Sequence, residues 1–117
     1  MCQALEKDIS KAVVNYLDVL KAQGRLVYYV NIEGGRRDVR QQVSLKRQGV
    51  RPGRPDIEVF AGDNRVIFLE LKRKRGGRLS ENQRDEIDSL KALGYECHVI
   101  YAETAADGVN QIEDILG

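Results

Sequence analysis

One histidine, His98, and two widely separated cysteines, Cys2 and Cys97, are all that these 117 residues offer of either type. With no CxxC pair and a single imidazole, neither a zinc centre nor a disulfide framework is expected, and the chain suits a reducing cytoplasm. No apolar run approaches the roughly 18 residues that cross a bilayer, and the N-terminus has no basic-then-apolar signal layout. No membrane partner is therefore expected. Nucleophilic chemistry is equally short of material, because neither Ser80 nor Cys97 has a histidine at a suggestive spacing. The pairs Gly34-Gly35 and Gly76-Gly77 match neither a phosphate-binding loop nor a dinucleotide fingerprint.

What is present is charge, unevenly spread. A hydrophobic content of 42% with 32% charged residues is ordinary for a globular domain. The length suits one domain, residues 1–117, able to bury roughly two thirds of its unfolded surface. The net charge of +1 hides an asymmetry. Residues 33–54 carry Arg36, Arg37, Arg40, Lys46, Arg47, Arg51 and Arg54 against Glu33 and Asp38; residues 72–84 carry Lys72, Arg73, Lys74, Arg75, Arg78 and Arg84 against Glu81 alone. Residues 85–117 reverse the sign, with only Lys91 opposing their acids. A charge run is ordinarily a solvated face, and Lys21 and Arg65 read that way. Two basic runs bracketing one acidic cluster point instead to a polyanionic partner.

Periodicity sets out the elements. Leu5, Ile9, Ala12, Val13, Tyr16, Leu17 and Leu20 give an amphipathic helix over Gln3–Gln23, closed by Gly24. Leu26–Asn31 is a first strand. The stretch Gly34–Gly53 reads as a long connection of the kind that is often functional. Ile57–Ala61 and Val66–Leu71 flank Gly62-Asp63-Asn64-Arg65, a hairpin turn. Ser80-Glu81-Asn82-Gln83 is a capping box opening a second helix, with Ile87, Leu90, Ala92 and Leu93 as its apolar stripe. A last strand spans Glu96–Tyr101, and a short helix begins near Asp107 and packs Val109, Ile112, Ile115 and Leu116. The order predicts an α/β fold with a small mixed sheet of about four strands flanked by helices. The second helix would cross over between parallel strands.

Within this scheme one stretch gathers the chemistry. Pro55 suits the start of a strand, which places Asp56 at its mouth. The antiparallel partner brings Glu70 and Lys72 beside it, both on one face, with Leu71 on the other. Two carboxylates and an ammonium at the end of an apolar sheet are costly to desolvate without a bound cation. Asp56, Glu70 and the Leu71 carbonyl form the hard-oxygen set that Mg²⁺ (or Mn²⁺) prefers, and Lys72 could orient a water or neutralise charge on a phosphate. Spacing alone leaves a surface ion pair between Glu70 and a neighbouring cation equally open.

The combination of Glu6-Lys7-Asp8-Ile9, Gly53-Arg54-Pro55-Asp56, Glu70-Leu71-Lys72 and Leu79-Ser80-Glu81-Asn82-Gln83 resembles the VRR-NUC (virus-type replication-repair nuclease) domain of the PD-(D/E)XK superfamily. The similarity covers about residues 3–102. It implies a restriction-endonuclease-like core in a stand-alone domain, with Asp56 and Glu70 as metal ligands and Lys72 as the catalytic lysine. It also implies that Glu6 approaches the metal from the first helix and that Gln83 supports the site. On their own, Glu6 is accounted for as an acid favoured by the helix dipole and Gln83 as a capping residue. The implied activity is a metal-dependent, structure-selective DNA endonuclease of the kind used in DNA repair. As a homodimer it would resolve four-way (Holliday) junctions, with Tyr28 and Tyr29 as candidate dimer contacts. The alternatives are a flap-nicking enzyme and a non-catalytic DNA-binding protein.

Overall fold

A computed structural model of the chain describes residues 6–31, 43–44, 47–49 and 53–117. The first helix, α1 (Glu6–Ala22), buries Ile9, Val13, Leu17 and Leu20 of the stripe that its spacing predicts, while Gln3 and Leu5 lie outside the described residues. It ends where Gly24 turns left-handed (φ 74°), with the Gly24 amide donating to Lys21 O and the Arg25 amide to Leu20 O. Strands β1 (Leu26–Val30), β2 (Ile57–Ala61), β3 (Val66–Arg73) and β4 (Glu96–Ala102) form one sheet in that order. The first two pairings are antiparallel and β3–β4 is parallel. Helix α2 (Glu81–Ala92) is the crossover between the parallel strands, and α3 (Ala105–Leu116) follows β4. The expected mixed α/β sheet of four strands is thus the observed one.

The sheet has two unlike faces. Ile57, Val59, Ile67, Leu69, Leu71, Ile100 and Ala102 point to one side and pack with the α1 stripe and Ile112 of α3 into a single core. By strand alternation the opposite face carries Glu58, Phe60, Phe68, Glu70 and Lys72. Helix α2 lies on that second face, over its β3–β4 half, and buries only Ile87. The hairpin turn works because Asp63 (φ 59°) and Asn64 (φ 60°) both accept left-handed backbone at its two central positions, and the Arg65 amide closes it on Gly62 O (3.3 Å).

Four local expectations need correction. Helix α3 starts two residues before Asp107, because Thr104 caps it: its hydroxyl accepts the Asp107 amide (3.0 Å) while Asp107 Oδ2 accepts the Glu103 amide (3.0 Å). Ala92 and Leu93 are no part of the α2 stripe: Ala92 is exposed on the last turn, and Leu93 is the C-cap, 75% exposed, since the helix has ended before the period brings it round. Tyr28, expected as a candidate dimer contact, is instead half-buried against the core, and its hydroxyl hydrogen-bonds Asp18 of α1. Arg65 is not merely solvated. Its guanidinium forks onto Glu96 (2.9 and 2.8 Å) and donates to Ile115 O (2.7 Å), tying the hairpin turn to β4 and the end of α3. The Arg65 guanidinium, helped by His98, holds the Glu96 carboxyl down at about 2.

Candidate active site

The register of β2 on β3 decides what meets at the sheet's open end. Ile57 pairs with Leu69, so the next step back sets Asp56 beside Glu70. Each carboxylate is then held by a backbone amide from the other's neighbourhood. The Asp56 amide donates to Glu70 Oε2 (3.2 Å), and the Leu71 amide donates to Asp56 Oδ2 (2.8 Å). The other Glu70 oxygen, Oε1, accepts from Gln83 Nε2 (2.8 Å) and lies 3.8 Å from Lys72 Nζ. The Glu70 side chain is only 1% exposed and Lys72 only 13%, so this is not the surface ion pair that the spacing also allowed.

Burial, then the neighbouring Asp56 charge, pushes the Glu70 carboxyl up to about 8, and Lys72 only partly opposes this. Asp56 is raised as well, chiefly by burial, against the pull of the Leu71 amide. Two carboxyls that are both reluctant to ionise form a site short of positive charge. The donors present are hard oxygens: two carboxylates and the Leu71 carbonyl. They fit a small divalent cation that keeps several of its waters.

Gln83 serves two elements at once. Its Oε1 accepts the Ser80 amide (2.9 Å) while its own amide donates to Ser80 Oγ (3.1 Å), completing the capping box; its Nε2 is thereby aimed at Glu70. One side chain thus makes both the capping contact and the contact with Glu70. Gly53 sits against the same first turn of α2. With φ +87°, any Cβ placed on it would lie 2.4 Å from Asn82 C and O and 2.8 Å from the Gln83 amide. Only glycine lets the Gly53–Asp56 segment rest on that helix end.

Two further residues complete the arrangement, and sequence reasoning missed both. Asn31, just past β1, donates from Nδ2 to Pro55 O (2.7 Å) and from its amide to Asp56 O (2.7 Å), clamping the strand mouth. Glu58 is a second nearly buried acid on the site face. It accepts from Arg54 Nε (2.8 Å), from the Arg54 terminal nitrogen and from Asn31 Nδ2 (3.4 Å). Parity could have flagged Glu58, since it lies two residues after Asp56 on the same face of β2. No sequence signal marks Asn31.

The remaining expected residues are dispersed. Glu6 lines a cavity of about 430 Å³ with Lys72, Arg73, Gly76, Gly77 and Arg78, where its Oε1 accepts the Arg73 amide (3.4 Å). The structure does not group it with Asp56 and Glu70: among the described residues no three His, Cys, Asp or Glu side chains converge as a metal set. Its charge still reaches Asp56, adding to the upward push there. Arg73 and Arg78 border that cavity, while Arg75 is 3.8 Å from Glu103 on the outer surface. The Lys74 amide extends the pairing with β4 by donating to Ala102 O (3.0 Å). Arg47 and Arg54 are exposed. Arg36, Arg37, Arg40, Lys46 and Arg51 lie outside the described residues.

Comparison with known proteins adds a family. The sequence model of the VRR-NUC domain matches residues 2–104. A solved structure named "VRR_NUC domain protein" superposes with a TM-score of 0.64 at 19% identity, covering 98% of this chain and 92% of that one. Another, named "VRR_NUC domain", gives a TM-score of 0.59 at 16% identity, covering 95% and 92%. At such identities the structures speak for the fold. No curated protein matches the chain by sequence.

Proposed function

The chain belongs to the VRR-NUC family of nuclease domains, and on that premise we propose that it is a divalent-metal-dependent, structure-selective DNA endonuclease acting on branched DNA. What carries the reading is the buried Asp56–Glu70 pair, each carboxylate held by a backbone amide, with Lys72 and Gln83 on one shared Glu70 oxygen. Asp56, Glu70 and the Leu71 carbonyl would hold Mg²⁺ or Mn²⁺. When bound, such a cation supplies positive charge to the phosphate and makes water a better nucleophile. Lys72, pinned near Glu70 yet beside the basic cavity, would donate to a phosphate oxygen as charge develops. Gln83 fixes the Glu70 oxygens, and Asn31 with Gly53 keeps Asp56 from swinging away. Arg73 and Arg78 would receive the flanking phosphates, and Glu6 borders the same cavity.

Four-way junctions are the proposed substrate. Such a junction is approximately two-fold symmetric, and one site per chain cuts both matching strands only if two copies act together, so a homodimer is part of the proposal. Purified protein should cut a branched substrate in Mg²⁺ or Mn²⁺ but not in EDTA, and Asp56→Asn should fall to background while still binding DNA. Four-way junctions, flaps and plain duplex compared side by side rank the substrates. Undiminished cutting by Asp56→Asn sinks the assigned site. Light scattering should give about twice the 13.2 kDa chain mass, and a cruciform plasmid should be linearised without free nicked circles. A monomeric mass with nicked circles appearing first would leave flap nicking instead. Binding without any cleavage would leave a non-catalytic DNA-binding protein.

A further inference from the structure

On the site face of the sheet, α2 covers the β3–β4 half and no described helix covers the β1–β2 half. That open half carries an aromatic pair. Tyr29 is 61% exposed and Phe60 38%, their rings edge-to-face with centroids 5.9 Å apart, and Val27 beside them is 44% exposed. The strand register sets Tyr29 directly across from Glu58, the residue that holds the Arg54 guanidinium, and Val27 across from Phe60. Arg54 itself keeps a side chain 57% exposed and precedes Pro55 and Asp56 in the chain. An accessible ring on β1, a second ring on β2 bracing it and an oriented guanidinium just before Asp56 therefore lie on the site face, with Tyr29 one strand from β2 and two from Glu70.

We propose that Tyr29, braced by Phe60, is a stacking platform for one base displaced from its pair at the branch point of the DNA, with Glu58 positioning Arg54 for the adjoining phosphate. The inference deepens the nuclease reading and rests on it for the identity of the nucleic acid. Base–aromatic stacking next to a cation is the chemistry by which single-stranded segments are gripped, and it tolerates any base. Charge favours this occupant, because Arg54 offsets the Glu58 carboxylate that the register sets across from Tyr29 and keeps its own side chain 57% exposed. A second copy of the chain fits less well. The exposed parts of Tyr29, Phe60 and Val27 amount to roughly 300 Å², against about 800 Å² per partner in a stable interface.

The test is binding in EDTA, so that its outcome does not depend on cleavage. The probes are a duplex carrying a single bulged 2-aminopurine and the same duplex with the base paired. Wild-type protein should quench the bulged probe on binding. Tyr29→Ala should abolish the quench and weaken affinity for bulged DNA about 5- to 100-fold, the scale of one stacked base, with less than about a twofold change on paired duplex. Tyr29→Phe should restore both. Glu58→Gln should weaken bulged-DNA binding and flatten its salt dependence while leaving the quench, as expected of a residue acting through Arg54. Equal effects of Tyr29→Ala on the two probes, or none, overturn the proposal. So does loss of a dimer mass in Tyr29→Ala, which would make the patch a self-association surface. Intact cleavage with an indifferent Tyr29 refutes the platform alone; stacking without cleavage by any metal refutes the nuclease reading alone.

Discussion

Replacing Glu70 with glutamine should abolish a pH dependence that the metal-free protein is built to show. Burial and the Asp56 charge raise the Glu70 carboxyl from 4.5 to about 8. Between those values the folded chain keeps a proton that the unfolded chain releases, so this group's contribution is complete below about pH 4.5 and is lost as pH rises through about 8. At about 1.4 kcal/mol per unit, the loss amounts to a few kcal/mol at most, because Asp56 titrates with it and shares the shift. For a chain of this length each kcal/mol moves the melting temperature by about 4 °C. In EDTA the wild type should therefore melt on the order of 10 °C lower at pH 8 than at pH 5.5. Glu70→Gln should largely lose this slope. Its amide group also meets a donor, either the Asp56 amide or Gln83 Nε2, at a cost of about 1–2 kcal/mol. The variant should thus be the less stable protein at pH 5.5 and the equal or more stable one at pH 8. Added Mg²⁺ should raise the wild-type melting temperature increasingly towards pH 8, as a cation displaces the proton, and do much less for the variant. Calorimetric melts across this range check all of it. Parallel pH profiles for the two proteins would refute the assignment of a proton-retaining Glu70.

Lys72→Met should lower the cleavage rate by roughly 10²–10⁴ with a melting temperature near the parent's, and wild-type turnover in single-turnover assays would make Lys72 a bystander. Gly53→Ala forces a Cβ into the Asn82–Gln83 backbone at a left-handed position, so it should cost about 1–3 kcal/mol and depress cleavage beyond its effect on melting; an unperturbed melt and rate would show that the loop does not need this close approach. Arg73→Gln with Arg78→Gln should weaken duplex binding for all sequences alike and reduce the salt slope by about 0.9 for each phosphate no longer neutralised; an unchanged slope would separate the cavity from the DNA path.

Part of the site is legible in the sequence because one turn folds the mouth of β2 back onto the exit of β3. Counting outwards from Asp63-Asn64 alone would set Asp56 opposite Leu71; the observed register, with Ile57 on Leu69 and the Ala61 amide on Arg65 O, is shifted by one residue and sets Asp56 opposite Glu70. The crossover is legible for a similar reason: a capping box and a helical stripe between two strand patterns leave a parallel pairing as the natural closure, and β3–β4 is parallel. Local expectations fail where a period outruns its element, as at Leu93, or where a cap precedes the first apolar residue, as at Thr104. Arg65 and Tyr28 escape a sequence reading because their partners, Glu96, Ile115 and Asp18, come from other elements.

Periodicity and spacing do not supply the parts that hold the pair rigid, although the family resemblance points to Gln83. Asn31, Gly53 and Gln83 reach Asp56 and Glu70 from the end of β1, the loop before β2 and the first turn of α2. None of them is marked by periodicity, and each acts through a contact more than ten residues away in sequence. A carboxylate pair free to rotate would relax its repulsion by separating, and would then have little need of a cation. Held by the Asp56 and Leu71 amides and by Gln83, the pair cannot relax in that way; burial raises both carboxyls, and the Asp56 charge adds to the rise at Glu70. On the proposed reading, the affinity for a cation would depend on these neighbours as well as on Asp56 and Glu70. Substitutions at Asn31 or Gln83 should therefore weaken metal binding, read by calorimetric titration with Mn²⁺, while leaving both carboxylates in place. Unchanged affinity in both variants would return the whole effect to Asp56 and Glu70 themselves.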